Sequence, residues 1–432
     1  MKPEADATAR TVRALDAINA HDPALRAFCD IRAAAARADA RALDDLPAHR
    51  RQALHGVPVA VKEVFDVADL RCSWGTPIHA ERRPGVDCEA VLRLKGAGAV
   101  VVGTVTSTEY AMARAAPTGN PYALERTPGA SSSGSAAAVA AGLVDLALGS
   151  QTIGSGIRPA AYCGVLGLKP THGAIPLGGA MPLSAPLDHA VILARDIDLV
   201  AAAWTVLGAP MPDADEQGRL QRVQQDAKPA MPRVAFVEPW FDEAVDARMG
   251  LLVEAAALRL AGGDVVRIKV PPAVQRDEQD CLETILACDM WRHHGADAQI
   301  AGERMSPALK AWLERGRLID ETSYQRELAR RDELIQTMLH ATQAFDVLVT
   351  LATTGVAPLR SEGTGSRSPQ RLWTLLGWPA IAVPIGLLDG LPVAVQLIAR
   401  AGEEWSLLSL ARQLCAAFPT PLPGGWASQS RP

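Results

Sequence analysis

Two stretches of this 432-residue chain place hydroxyls and glycines where packing would favour larger side chains: Pro128-Gly-Ala-Ser-Ser-Ser-Gly-Ser135 and Gly149-Ser-Gln-Thr-Ile-Gly-Ser-Gly-Ile-Arg-Pro-Ala160. Glycine permits unusual backbone angles and close approach by a substrate, so a Gly/Ser loop can aim several backbone N–H groups at one developing negative charge. That is the chemistry of an oxyanion hole. Either stretch alone also fits an ordinary loop; their combination points to a site.

Other chemistries find less support. None of the nine histidines has metal-ligand spacing, and adjacent His293 and His294 leave a helix in different directions, as surface or pocket-rim residues do. Ser155 has no Gly-x-Ser-x-Gly elbow around it, and Gly96, Gly98 and Gly103 miss the dinucleotide fingerprint, whose last glycine would fall at Val101. No metal site is expected from these spacings.

The elements that must hold these loops follow a repeating pattern. Residues 7–46 carry apolar residues at helical spacing and predict two helices of N-terminal packaging, within residues 1–53. Gly56-Val-Pro-Val-Ala-Val-Lys-Glu is a β-branched run after a turn signal and predicts a strand ending near Lys62. A helix over 87–95, a strand over 99–105, an Ala-rich helix over 135–142 and a strand over 144–148 follow. Strands near 190–194 and 233–237 flank a helix over 196–207. Strand alternating with helix predicts an α/β sheet. Residues 242–344 read as mostly helical, a variable region expected to shape the pocket with Trp291 and Arg292 as candidates. Strands return at 347–350, 380–385 and 393–398, before a last helix over 404–417. Residues 357–369 read as a surface loop, and no repeat or linker divides the chain, so one domain over 1–432 is expected.

Composition narrows the class. With 48% hydrophobic and 21% charged residues the chain can bury a core, as a globular enzyme does and a disordered chain does not. The 43 basic and 48 acidic residues are scattered without a Lys/Arg block, which argues against nucleic acid or a membrane surface as ligand. Seven cysteines without C-x-x-C pairs read as reduced thiols, and the acidic N-terminal residues lack a signal-peptide core, so the cytoplasm is the expected address. A homodimer is compatible with these features.

From about Leu54 to the final helix the sequence resembles the amidase signature family. The resemblance rests on Gly56-Val-Pro-Val-Ala-Val-Lys62-Glu, on Pro128-Gly-Ala-Ser131-Ser-Ser-Gly-Ser-Ala-Ala-Ala-Val and on Gly149-Ser-Gln-Thr-Ile-Gly-Ser155-Gly-Ile-Arg-Pro-Ala, with a signature core over 54–200. Trp373-Thr-Leu-Leu-Gly-Trp-Pro-Ala380 and Leu391-Pro-Val-Ala-Val-Gln-Leu-Ile398 add to it. The resemblance implies a single large α/β domain, a mixed sheet covered by helices on both faces. It also implies a cofactor-independent amidase acting on a small-molecule amide. Ser155 would be the acyl-accepting nucleophile, Ser131 the bridging serine with a cis peptide bond, and Lys62 the base. A non-proline cis bond costs about 3–4 kcal/mol, and Lys62 would have to be neutral to take a proton, so burial must depress its pKa. Without the two serine segments, Lys62 would read as a snorkelling surface lysine. The backbone N–H groups of Thr152, Ile153, Gly154 and Ser155 would form the oxyanion hole, and Ser132 and Gly129 are further candidates to touch substrate.

The nucleophile segment departs from the family's frequent Asp-Thr-Gly-Gly-Ser-Ile-Arg. Gln151 opens it, Ile153 replaces a glycine, and Arg158 falls three residues after Ser155 instead of two. This variant looks like the branch containing malonamidase and biuret-type or carboxybiuret-type hydrolases. A pocket-facing Arg158 could hold a carboxylate near the scissile amide with its planar fork; otherwise it pairs with an internal acid. The other reading is the glutaminase-type subunit of a tRNA-dependent amidotransferase, which usually carries the Asp-Thr-Gly-Gly-Ser-Ile-Arg form.

Overall fold

The Val-rich and Ala-rich runs of this sequence become strands buried on both faces, as a sheet covered by helices requires. In the computed structural model, which describes residues 6–208, 231–419, 423 and 426, the strands in chain order are β1 (Phe28–Ile31), β2 (Pro58–Lys62), β3 (Val100–Val105), β4 (Leu146–Gln151), β5 (Leu166–Lys169), β6 (His189–Ala194), β7 (Val234–Val237), β8 (Val266–Ile268), β9 (Val347–Leu351), β10 (Ala380–Leu388) and β11 (Leu391–Ile398). They form one eleven-stranded sheet in the order β1-β3-β2-β4-β6-β5-β10-β11-β9-β7-β8. Strands β3, β2 and β4 run parallel to one another, as do β9, β7 and β8, while the pairings from β4 through to β9 are antiparallel. The chain is thus a single α/β domain with a mixed sheet flanked by helices.

The parallel trio places the site. Because β2 and β4 share a direction and pair through Val59 with Leu146 and Val61 with Leu148, the residues that follow both strands emerge at the same end of the sheet, where α/β folds bind ligands. The Ala-rich helix Ser133–Ala140 is buried along its whole length and lies on β2 and β4. Its Gly134 is obligatory, since a Cβ there would stand 2.6 Å from the Thr106 backbone nitrogen.

The expected elements are present, with shifted ends and several additions. Between the helices Ala7–Leu25 and Ala33–Asp44 lies β1, paired with β3; its four residues are too short to show a period. Strands β5 and β8 and the helix Ile157–Tyr162 were likewise not expected; the helix contains Pro159, tolerated in a first turn. Residues 242–344 form the helices Ala247–Ala261, Pro272–Ala301, Pro307–Arg317 and Glu321–Thr342. The stretch 357–369 is not only a surface loop: Ser368 begins the buried helix Ser368–Leu375. That helix is tied to Pro272–Ala301 by the buried, bidentate Arg371–Glu278 pair at 2.7 Å.

Among the described residues no helix is long and apolar enough to cross a membrane, and all seven cysteines are free.

Candidate active site

Strand β2 ends by delivering Lys62 into the interior with no exposed surface. Its Nζ donates to Ser131 Oγ at 2.6 Å and to Ser150 Oγ at 2.8 Å. Burial pulls its pKa down from 10.5 to about 7, with Glu63 and Asp188 acting the other way. A large share of the amine is therefore neutral near pH 7 and can accept a proton.

Ser131 lies on the loop entering the helix Ser133–Ala140. The resemblance implied a cis peptide bond there, and this is corrected: among the described residues every peptide bond is trans, the lower-energy form for a non-proline residue. The reversal at this point is closed instead by Ser133 N–H donating to the Ala130 carbonyl at 3.0 Å.

Ser155 sits on the turn between β4 and the helix Ile157–Tyr162, 9% exposed. The Ser131 and Ser155 loops lie side by side, joined by Ser132 N–H to the Ser155 carbonyl at 3.2 Å. Lys62 and Ser131 are in contact, whereas Ser131 and Ser155 share no formed hydrogen bond, a step that often tightens only with substrate in place.

The turn is clamped by side chains at its two ends, which leaves the donors at its tip free. Gln151 Oε1 accepts from the Gly156 and Ile157 N–H groups, both at 3.0 Å, and its Nε2 donates to Thr374 Oγ1 at 2.9 Å. Thr374 in turn donates to the Ile153 carbonyl at 2.7 Å. Thr152 Oγ1 donates to Asp188 Oδ1 at 2.6 Å, and Asp188 Oδ2 accepts from Leu183 and Ser184 N–H. Burial lifts the Asp188 carboxyl to about 6. No acceptor is present among the described residues for the backbone N–H groups of Ile153, Gly154 and Ser155. Buried N–H groups are almost always paired, so three free ones in cavity-lining residues form a donor set for a ligand. A Cβ on Gly154 would stand 2.5 Å from Gln370 Oε1, so a larger residue there requires the Gln370 side chain to move. Ile153 does not need positive φ, so its branched side chain fits the turn without backbone strain.

These residues line a cavity of about 340 Å³ together with Arg158, Glu243 and Thr364 to Arg367. Arg158 is 4% exposed, and its Nη1 donates to the Gly365 carbonyl at 2.6 Å. Its Nε has no partner, and no carboxylate pairs with it among the described residues. The internal-acid role for Arg158 is therefore not the one found. Burial lowers it to about 10, which leaves it charged at neutral pH. Glu243 is engaged elsewhere, by the Ser366 and Ser368 hydroxyls.

Three expectations about substrate contact change. Ser132 is fully buried and its hydroxyl is spent on the Ser150 backbone, accepting from N–H at 3.1 Å and donating to C=O at 2.9 Å. Gly129 lines a different cavity and takes φ of 107° against Pro159. Trp291 and Arg292 do not line the Ser155 cavity; Arg292 pairs with Glu321 and stacks over Tyr324. From the variable region it is Glu243 that reaches the cavity wall. Ser150, Thr374, Asp188, Gln370 and the 364–367 loop were not expected at the site. The only local signal was polar, glycine-rich Gly363-Thr-Gly-Ser366, with positive φ at Gly363 and Gly365.

A family profile described as Amidase matches residues 10–408. A glutamyl-tRNA(Gln) amidotransferase A subunit from Anaeromyxobacter sp. (strain K) is 32% identical, covering 92% of this chain and 90% of its own length. A solved structure from work on a vestigial protein complex and the evolutionary origins of an s-triazine catabolic enzyme superposes with a TM-score of 0.85 at 29% identity, covering 97% of this chain and 96% of that one. Native peptide amidase from Stenotrophomonas maltophilia gives 0.82 at 28% identity, covering 98% and 96%.

Proposed function

Because the chain belongs to the amidase family and is a hydrolase of amide C–N bonds, we propose that it acylates Ser155 with a small, anionic or ureido-like amide, through a relay of Lys62 and Ser131. Neutral Lys62 takes the Ser131 proton, Ser131 takes the Ser155 proton, and Ser155 Oγ adds to the carbonyl carbon. The oxyanion is held by the N–H groups of Ile153, Gly154 and Ser155, with that of Thr152 beside them at the start of the same turn. The C–N bond breaks as Ser131 returns the proton to the leaving nitrogen. Water, activated by the same relay, then releases the carboxylate.

The observation that carries this reading is the buried Lys62 Nζ at 2.6 Å from Ser131 Oγ, beside a turn with three unsatisfied N–H donors. The anionic preference rests on Arg158, a buried cation without a carboxylate partner among the described residues, whose charge a ligand would neutralise. The test is ammonia release from malonamate, biuret, allophanate, glutamine and neutral aliphatic or aryl amides. Preference for the carboxylated or ureido substrates supports the reading, and preference for neutral amides removes the anionic part of it.

A second reading draws on curated relatives such as two amidotransferase A subunits that match at similar length. In it, glutamine is the substrate and the ammonia is passed to a partner protein. Glutamine as the best substrate, together with copurification of partner proteins, would favour it.

A further inference from the structure

A second cavity, of about 220 Å³, adjoins the first and shares Thr152 and Ala111 with it. The two differ in chemistry. Arg158, Glu243 and Arg367 line the first, whereas Phe65, Leu177, Met181 and Leu183 dominate the second. The second cavity's polar groups offer a ligand no free charge. Asp188 spends both oxygens on Thr152, Leu183 and Ser184. Ser150 accepts from Lys62, and His189 donates from Nδ1 to the Leu187 carbonyl, its imidazole kept neutral by burial.

We propose that this second cavity is a leaving-group subsite for the apolar alkyl or aryl substituent of an amine, so that the enzyme cleaves N-substituted amides in preference to the matching primary amide. The proposal rests on the Ser155 acylation reading above. Its orientation follows from the proton path. The leaving nitrogen must receive its proton from Ser131, the hydroxyl bound to Lys62 Nζ. The other hydroxyl on that Nζ belongs to Ser150, which lines the second cavity and not the first. The amine departs on the Lys62 side, into hydrocarbon, while the anionic acyl part stays with Arg158. The size is adequate: an apolar protein cavity of about 150 Å³ accepts a benzene ring. The step balances as an ordinary hydrolysis. The C–N bond breaks, the Ser155 Oγ–C bond forms, the serine proton passes through Ser131 to nitrogen, and water later supplies the carboxylate oxygen and restores the serine proton.

The test compares kcat/KM for malonamate, N-butylmalonamate and N-phenylmalonamate in the wild type and in two variants that narrow the cavity, Leu177→Trp and Ala185→Phe. Binding of aniline to the Ser155→Ala protein is followed by saturation-transfer NMR. The wild type is expected to favour the N-butyl and N-phenyl amides over malonamate by at least about tenfold, from burial of the substituent. Each narrowing variant is expected to pull those ratios down by a similar factor and to weaken aniline binding. Wild-type ratios in both folded variants, or a wild type that turns over malonamate and neither substituted amide, would overturn the subsite. If none of the three amides is hydrolysed but aniline binding is lost on adding Leu177→Trp, the catalytic reading fails and the subsite stands.

Discussion

The Thr152 hydroxyl donates to Asp188 Oδ1 at 2.6 Å, fastening the start of the Ser155 turn to a carboxylate 36 residues further along the chain. Asp188 also holds the Leu183 and Ser184 N–H groups, so one side chain aligns both the turn and a wall of the second cavity. A hydrogen bond to a charged group contributes about 1.5–3 kcal/mol. If that alignment is realised in the transition state, its loss lowers kcat by about ten- to hundredfold. Thr152→Val and Asp188→Asn are each expected to show such a loss, and the double variant to lose no more than the worse single one. Additive losses would mean the two residues act separately.

The base sets the pH profile. Lys62 is held at about 7 by burial, and only its neutral form accepts a proton. On the acid side kcat/KM is expected to rise about tenfold per pH unit and to level off above pH 7. A profile flat from pH 5 to 9 would exclude Lys62 as the base.

The same burial has an opposite effect on folding. Between about 7 and 10.5 the unfolded chain binds more protons at Lys62 than the folded one, so this group makes stability rise with pH across that window. Its penalty is greatest below pH 7 and fades towards pH 10.5. Lys62→Met is expected to abolish turnover while unfolding at higher urea than the wild type at pH 6, by a margin that shrinks at pH 9. Equal margins at both pH values would contradict the depressed pKa.

Arg158 is expected to discriminate by charge. Arg158→Ala should lower kcat/KM for malonamate by at least about a hundredfold, the scale of a lost charge-assisted pair, and alter a neutral amide by less than tenfold. Equal losses on both substrates would place Arg158 in the scaffold only.

Gln151 is the turn's internal clamp. Gln151→Ala strips partners from two buried N–H groups and from Thr374, and each orphaned group costs about 1–3 kcal/mol. A drop in urea midpoint accompanied by lower kcat is expected. An unchanged midpoint would show that water or another side chain replaces the amide.

What the sequence made legible was local. The β-branched run that ends at Lys62 and the two Gly/Ser loops announce themselves within a dozen residues, and the structure brings Lys62 against Ser131. What stayed hidden depends on contacts across long stretches of chain. Thr374 reaches the Ile153 carbonyl across 221 residues, and Arg158 reaches Gly365 across 207. Nothing in the local pattern around Thr374 encodes its meeting, and the glycine-rich run at Gly365 marks a special loop without naming its partner. Strand β1 has only four residues, and β5 contains a glycine, so neither carries enough period to be read alone. Ser132 shows the limit from the other side: its neighbours suggested substrate contact, and its hydroxyl is a staple between its own loop and β4.

Acylation of Ser155 can be observed by rapid-quench mass spectrometry of the enzyme turning over malonamate. A transient malonyl adduct is expected on the peptide containing Ser155, absent in Ser155→Ala and not accumulating in Lys62→Met. An adduct on Ser131 or on any other residue, or undiminished turnover by Ser155→Ala, would contradict Ser155 as the nucleophile.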